Sequence, residues 1–189
     1  MRGRCQKLFP TIKGSSGFTL IEMLIVIIIL GILAMVIIPQ ISVSTEDAKV
    51  STLKTNLTGI RSAIEIYYAQ HNMTYPGVKK TDGTETLIID AGESATAFIA
   101  QLTQYTDAKG HVSASADAAN YPFGPYIKGG ALPANPFTTS ATDAVNVVCE
   151  LSTTVKITDA RTLSGTVGWK FLRSLGILHA NDSLPHSLY

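Results

Sequence analysis

The chain has 189 residues, enough for one domain with an appendage and too few for two full domains. Hydrophobic residues make up 46% and charged residues 15%, against roughly 25% charged in a soluble domain, and the apolar excess lies near the N-terminus. The net charge of +1 and the lack of a basic cluster beyond the N-terminus give no sign of nucleic-acid binding, and two cysteines without CxxC or CxxCH spacing exclude a paired-cysteine metal site and a haem attachment.

Residues 1–17 form a basic leader that contains no acid. Its four basic residues are Arg2, Arg4, Lys7 and Lys13. Because the leader adjoins an apolar run, its charge is better explained by the positive-inside rule than by nucleic-acid binding. Phe18–Ile38 has 21 residues with Glu22 as the only charge, and as a helix it would span about 30 Å, the thickness of a hydrocarbon core.

Three interpretations of this segment compete. An ordinary signal peptide has a core of about 7–15 apolar residues followed by a small-x-small cleavage site, but Pro39-Gln40-Ile41 follows Ile38 here. A plain membrane anchor fits the length and leaves Glu22 unexplained, because a carboxylate in an apolar span costs about 2–3 kcal/mol. A prepilin leader explains the basic residues, the apolar span and the carboxylate together.

The stretch Gly17-Phe18-Thr19-Leu20-Ile21-Glu22 resembles the cleavage and methylation motif of type IV prepilins and type II secretion pseudopilins. The resemblance implies that a membrane prepilin peptidase cuts between Gly17 and Phe18 and methylates the new amino group of Phe18. It also implies that Glu22 acts in filament assembly. We expect the Glu22 carboxylate to be poorly partnered in a single subunit and to pair with the amino group of a neighbouring Phe18 in a filament. The alternative for Gly17 is a loop glycine.

Two further residues of the segment fit the same resemblance. Gly31 and Pro39 lie where the family places a helix-loosening glycine and proline. The alternative for Gly31 is a small residue in a membrane helix, and the alternative for Pro39 is a helix stop at the membrane exit.

After Pro39 the pattern predicts an amphipathic helix. Its apolar residues recur at steps of 3 and 4 and form one stripe: Val50, Leu53, Leu57, Ile60, Ile64 and Tyr67. The whole helix should run from Phe18 to about Asn72, because Tyr75-Pro76-Gly77 is a breaker. A shorter helix is predicted over 94–104 with Phe98, Ile99 and Leu102 inward, followed by a loop-rich stretch over 106–146.

Short β-branched or aromatic runs predict strands near the C-terminus. They cover 146–151, 153–158, 165–172 and 177–181, and Val167, Trp169 and Phe171 alternate as in a half-buried strand. Short connections favour an antiparallel meander. The predicted fold is therefore α+β and pilin-like, with a long N-terminal helix on a small antiparallel sheet. The predicted domains are the leader over 1–17, which is removed, a transmembrane and assembly helix over 18–39, and a head over 40–189.

Two segments of the head add to the resemblance. Leu132-Pro133-Ala134-Asn135-Pro136-Phe137 resembles a segment of major pseudopilins, and Gly168-Trp169-Lys170 followed by Ala180-Asn181-Asp182 is similar to the ends of many pilin-like heads. No cofactor is expected, although the resemblance leaves calcium open. The candidate ligands for calcium are Asp159, Asn181 and Asp182, each with a solvated turn as the alternative. Removal of the leader takes Cys5 away, so Cys149 cannot form an intramolecular disulfide and is expected to be a small buried apolar residue.

No catalytic pattern is present. The four histidines are scattered without metal-ligand spacing: His71, His111, His179 and His186. We therefore expect a structural subunit of a type II secretion pseudopilus and not an enzyme. The alternatives are a type IV pilus pilin, major or minor, an adhesin at a filament tip, and an enzyme held by an uncleaved anchor.

The resemblance also implies partners and a location. The partners are other copies of the chain and other pilin-like subunits, the prepilin peptidase, an inner-membrane assembly platform and membrane lipid. The precursor would cross the bacterial inner membrane once, with the leader in the cytoplasm and the head in the periplasm. After assembly it would lie in a periplasmic or cell-surface filament.

Overall fold

The computed structural model describes residues 17–82, 84, 86–152, 165 and 167–189, and for residues 36–44 it describes the backbone alone. The chain divides into two compact units, one that ends at Thr45 and one that comprises Glu46–Tyr189. Residues 1–16 of the predicted leader and the predicted strand over 153–158 lie outside the described residues.

The first helix, α1, comprises Leu20–Gln70. Its bounds lie within two residues of the prediction, and the helical backbone continues through Pro39, so the helix-stop interpretation of that proline is wrong. Among the described side chains of the first unit, those from Leu20 to Met35 are all exposed and pack on no apolar core. No helix formed by the described residues is both long and apolar enough to cross a membrane.

In the second unit, the predicted apolar stripe of α1 is confirmed. Val50 is half-buried, and the other five stripe residues are at most 2% exposed: Leu53, Leu57, Ile60, Ile64 and Tyr67. The helix ends where Asn72 and Met73 take positive φ angles of 51° and 56°, a backbone conformation that cannot continue a right-handed helix.

The second helix, α2, comprises Ala91–Thr103. It begins three residues before the predicted start because Asp90 caps it, accepting a 2.8 Å hydrogen bond from the Glu93 amide. Phe98 and Leu102 are fully buried, as predicted, and Ile99 is half-buried against the core.

The region predicted as loop-rich contains three short elements. The strands β1 (Tyr105–Thr106) and β2 (Val112–Ser113) pair antiparallel. The four-residue helix α3 (Ala141–Ala144) begins after Ser140, whose hydroxyl oxygen accepts from the Asp143 amide. Elements this short carry too little periodicity to be read from the sequence.

A three-stranded sheet closes the head. It consists of β3 (Val147–Glu150), β4 (Trp169–Leu172) and β5 (Ile177–Ala180) in the order β3-β4-β5, and a 3-10 helix follows at His186–Leu188. The pair β4–β5 is antiparallel, as predicted, but β3 and β4 are parallel, with Val147 opposite Trp169. The expectation of a purely antiparallel sheet is wrong because 18 residues separate Glu150 from Trp169, enough for a crossover that returns the chain to the same end of the sheet.

The central strand β4 is buried along its whole length. Trp169, Phe171 and Leu172 are fully buried and Lys170 is 5% exposed, so the expected half-buried alternation is wrong. A strand with neighbours on both edges and covered faces has no solvent side. Trp169 and Phe171 join the α1 stripe and Phe98 in one hydrophobic core, which gives the predicted α+β class.

Candidate functional site

The start of α1 is held by a reciprocal pair of side chains. The Glu22 carboxylate accepts hydrogen bonds from the backbone amide of Thr19 at 2.8 Å and from its hydroxyl at 2.7 Å. The Glu22 amide in turn donates to the Thr19 hydroxyl oxygen at 3.3 Å. Thr19 is the residue before the helix and Glu22 is its third residue, so the two form a capping box that satisfies free amides of the first turn.

This arrangement corrects one expectation from the sequence. Glu22 is not poorly partnered in a single chain, because Thr19 binds its carboxylate twice. The signal was present as Thr19-Leu20-Ile21-Glu22, the T-x-x-E spacing of a capping box ahead of an apolar run. Both residues remain exposed, so the carboxylate is still accessible to a second partner.

In the head, the two segments that carried the weaker resemblance meet at Asn135. This side chain is 1% exposed, and its amide nitrogen donates to the Gly168 carbonyl and to the Asp182 carboxylate, both at 2.8 Å. Its amide oxygen accepts from the Phe137 backbone at 2.9 Å. A buried amide with both ends satisfied ties the 132–137 segment to β4 and to the turn after β5.

Two further bonds attach the same segment to the rest of the head. The Trp169 indole donates to the Pro133 carbonyl at 2.9 Å, and the Asn56 side chain on α1 donates to the Ala134 carbonyl at 2.9 Å. The segment therefore connects the helix to the sheet.

Comparison with known proteins concerns both the start of α1 and the head. The family model for the prokaryotic N-terminal methylation motif matches residues 12–38. The type II secretion system core protein G of Klebsiella pneumoniae is 31% identical over 121 residues, which cover 64% of this chain and 68% of that protein. The chain belongs to the type IV pilin and type II secretion pseudopilin family.

Other relatives match this pilin-family chain over a shorter stretch. The core protein G of Pseudomonas aeruginosa is 40% identical over 76 residues, 40% of this chain and 51% of that protein. A fimbrial protein of Neisseria meningitidis serogroup B is 43% identical over 70 residues, 37% of this chain and 41% of that protein. The chain thus spans about half the length of the first curated relatives it matches. No solved structure matches it.

The residues predicted for processing lie within the matched motif. Gly17 and Phe18 precede α1, Phe18 is 81% exposed, and a Cβ added at Gly17 would meet no atom of the described residues within 4 Å. Gly31 lies inside α1 and has equally free surroundings, whereas Pro39 lies one residue beyond the match. Cleavage, methylation and helix loosening at these residues stay predictions.

The cysteine and two of the four histidines are buried in the head. Cys149 is 1% exposed with a free thiol, and burial raises its pKa to about 12, although Ser94 and Arg173 partly offset this. It is the small buried residue that was predicted, and a thiol of such high pKa is not a nucleophile at neutral pH. Burial likewise lowers the pKa of His71 and of His179.

Two of the three candidate calcium ligands, Asn181 and Asp182, have hydrogen-bond partners within the chain. Asp182 gives one carboxylate oxygen to Asn135 and the other to His186, and the Asn181 side chain donates to the Val167 carbonyl. No cluster of three His, Cys, Asp or Glu side chains suited to a metal occurs in the described part of the chain. Asp159 lies outside it. Calcium binding near these residues stays a prediction.

Proposed function

We propose that the chain is a non-catalytic structural subunit of a type II secretion pseudopilus, polymerised through the N-terminal part of α1. The observation that carries this is the 31% identity to a type II secretion core protein G over 68% of that protein. The methylation motif at 12–38 and the α+β head agree with it.

Processing prepares the N-terminus for assembly. A membrane prepilin peptidase would cut after Gly17, and Phe18 would then carry the amino group. The exposed apolar side chains of Leu20–Met35 need a cover: lipid of the inner membrane before assembly, and the helices of neighbouring subunits afterwards. The positive leader would hold the N-terminus in the cytoplasm, leave the head in the periplasm and present the subunit to an assembly platform in the membrane.

Glu22 sets the axial register between subunits. It follows Phe18 by four residues, about 6 Å along a helix, so its carboxylate can meet the amino group of a neighbour shifted along the axis. At low dielectric this pair attracts strongly, and its desolvation cost offsets part of the gain. The Thr19 capping box holds the carboxylate near the helix end before the neighbour arrives.

A substitution at Glu22 tests the assignment. As the sole copy in the cell, Glu22→Leu should insert into the membrane and be cleaved as the parent is, and should fail to enter filaments. Glu22→Asp should assemble poorly because its shorter arm misplaces the charge. The matched control is Glu46→Leu, an exposed glutamate of the same helix beyond the apolar run. Parental filament yield from Glu22→Leu, measured by shearing and pelleting, would show that the carboxylate is a bystander.

A type IV pilus is the second candidate, favoured by the 43% identity to a fimbrial protein. Deletion of the gene separates the two. Loss of secreted proteins from the medium with normal surface fibres indicates a pseudopilus. Loss of surface fibres with normal secretion indicates a pilus.

We also propose that the head folds without a metal ion, because both oxygens of Asp182 are already bound within the chain. The melting temperature of the full chain in detergent should then be equal in calcium and in a chelator. A rise of several degrees in calcium would show that the chain binds the ion and would overturn this proposal.

A further inference from the structure

Three asparagines of the head stand in the pattern N-x-S/T, the acceptor pattern for N-linked glycosylation. The three tripeptides are Asn56-Leu57-Thr58, Asn72-Met73-Thr74 and Asn181-Asp182-Ser183. A pattern this short also arises by chance, so the surroundings of each carboxamide decide which asparagine can react.

The reaction makes a demand on the asparagine side chain. The saccharide is attached to Nδ2, whose lone pair is delocalised onto the side-chain carbonyl as in any amide. The nitrogen becomes a nucleophile only when a transferase turns the carboxamide and interrupts that delocalisation. An acceptor asparagine must therefore be accessible, and its carboxamide must not be needed by the fold.

Asn56 and Asn181 do not meet this demand. Nδ2 of Asn56, on α1, donates to the Ala134 carbonyl at 2.9 Å and helps to attach the 132–137 segment. Asn181 is fully buried, and its Nδ2 donates to the Val167 carbonyl at 3.1 Å. Turning either carboxamide would break a hydrogen bond that holds parts of the head together.

Asn72 meets the demand. It is exposed just after the end of α1, and no hydrogen bond within the described part of the chain engages its carboxamide. The hydroxyl of Thr74 is also without a partner among those residues and is not buried. Met73, between the two, is 77% exposed. The whole acceptor pattern is thus open to an enzyme.

Backbone hydrogen bonds alone hold this tripeptide in place. The Met73 amide donates to the Tyr68 carbonyl at 3.1 Å, as in a Schellman cap, and the Thr74 amide donates to the His71 carbonyl at 3.0 Å. Asn72 is the left-handed residue of that cap, with a φ of 51°. The cap explains an asparagine at position 72 but needs no hydroxyl at position 74, whereas the acceptor pattern explains both.

We propose that Asn72 is an N-glycosylation site whose donor is a lipid-diphosphate-linked saccharide. The bond between Nδ2 and C1 of the saccharide forms as the bond from C1 to the diphosphate oxygen breaks. Nδ2 gives up one proton to a base of the oligosaccharyltransferase, and the lipid diphosphate leaves. The inference rests on the topology of the proposed function, because the transferase has to meet the head on the periplasmic face of the membrane.

Mass spectrometry of the full chain, purified in detergent from its own cells, tests the site. The peptide that contains Asn72 should carry a saccharide, and the peptides that contain Asn56 and Asn181 should not. Thr74→Val keeps Asn72 and the backbone cap but removes the hydroxyl, so it should abolish the modification. Thr74→Ser keeps the acceptor pattern and is the matched control, so it should remain modified.

The same spectra report the N-terminus and so separate the site from the proposed function. An unmodified Asn72 in chains that begin at Phe18 overturns the site and leaves the proposed function intact. A saccharide that persists in Thr74→Val, or that lies on Asn56 or Asn181, also overturns it. A saccharide on Asn72 in chains that still begin at Met1 supports the site and contradicts the proposed function.

Discussion

The Glu22 carboxylate has a partner in the single chain and would have another in a filament. In the single chain it accepts two hydrogen bonds from Thr19 and completes the first turn of α1. In the proposed filament the same exposed group would turn to the amino group of a neighbouring Phe18. Through the capping box, Thr19 would hold the Glu22 side chain at the helix end before a neighbouring subunit binds.

Two buried histidines make the head sensitive to acid. The His71 Nδ1–H donates to the Tyr67 carbonyl at 2.8 Å, which leaves Nε2 to accept from the Thr106 hydroxyl at 3.1 Å. His179 is 3% exposed, and its Nε2 has no partner among the described residues. Burial lowers the pKa of both, so each is held neutral in the folded head.

The unfolded chain takes up protons at the ordinary histidine pKa of about 6.5, while the folded head does not until lower pH. The stability contributed by these two neutral histidines is therefore fully present above about pH 6.5 and is lost as the pH drops below it, by at most about 1.4 kcal/mol per pH unit for each histidine. Urea unfolding of the full chain in detergent should show this decline.

His71→Phe keeps a ring against Tyr67, whose centroid lies 3.7 Å from that of His71, and removes one titration. The variant should lose less stability than the parent between pH 6.5 and 5, and should match the parent's slope between pH 7 and 8. Equal acid slopes would show that His71 is protonated in the folded head.

At the level of elements, strong periodicity was the reliable signal. The α1 stripe with Tyr67, the inward residues of α2 and the positions of three strands all followed from side-chain spacing. Strand partners did not, because the direction of β3 relative to β4 depends on the course of the 18 intervening residues, which side-chain spacing does not give. The α2 start at Asp90 and the Thr19 capping box were readable from spacing and were missed.

The 132–137 segment gives a prediction at the same scale. Asn135→Ala removes a buried amide that serves the Gly168 carbonyl, the Asp182 carboxylate and the Phe137 amide, and leaves these groups without that partner. We expect a loss of about 2–4 kcal/mol in the free energy of unfolding, measured from the urea midpoint. Asn120→Ala is the control, since Asn120 is exposed and its side chain donates to the exposed turn residue Asp117. Similar midpoints for the two variants would mean that Asn135 does not hold the 132–137 segment to the sheet.

At the scale of the whole molecule, the two units of the chain differ in how they treat their apolar side chains. Leu20–Met35 in the first unit exposes its apolar side chains, which lipid or other subunits would cover in the proposed function, and the unit from Glu46 onward buries one stripe of α1 in a hydrophobic core. Such a chain has a head with its own hydrophobic core and an N-terminal helix whose apolar side chains are left exposed, as in a subunit that is completed by assembly into a filament.

The central claim is that a processed chain is the building block of a filament, and one measurement tests it most directly. Filaments sheared from cells that express the full chain are dissolved, and the intact mass and N-terminal sequence of the subunit are determined. We predict residues 18–189, 172 in all, beginning at Phe18 with a methylated amino group. A subunit that begins at Met1, or after Ile38, would contradict the account.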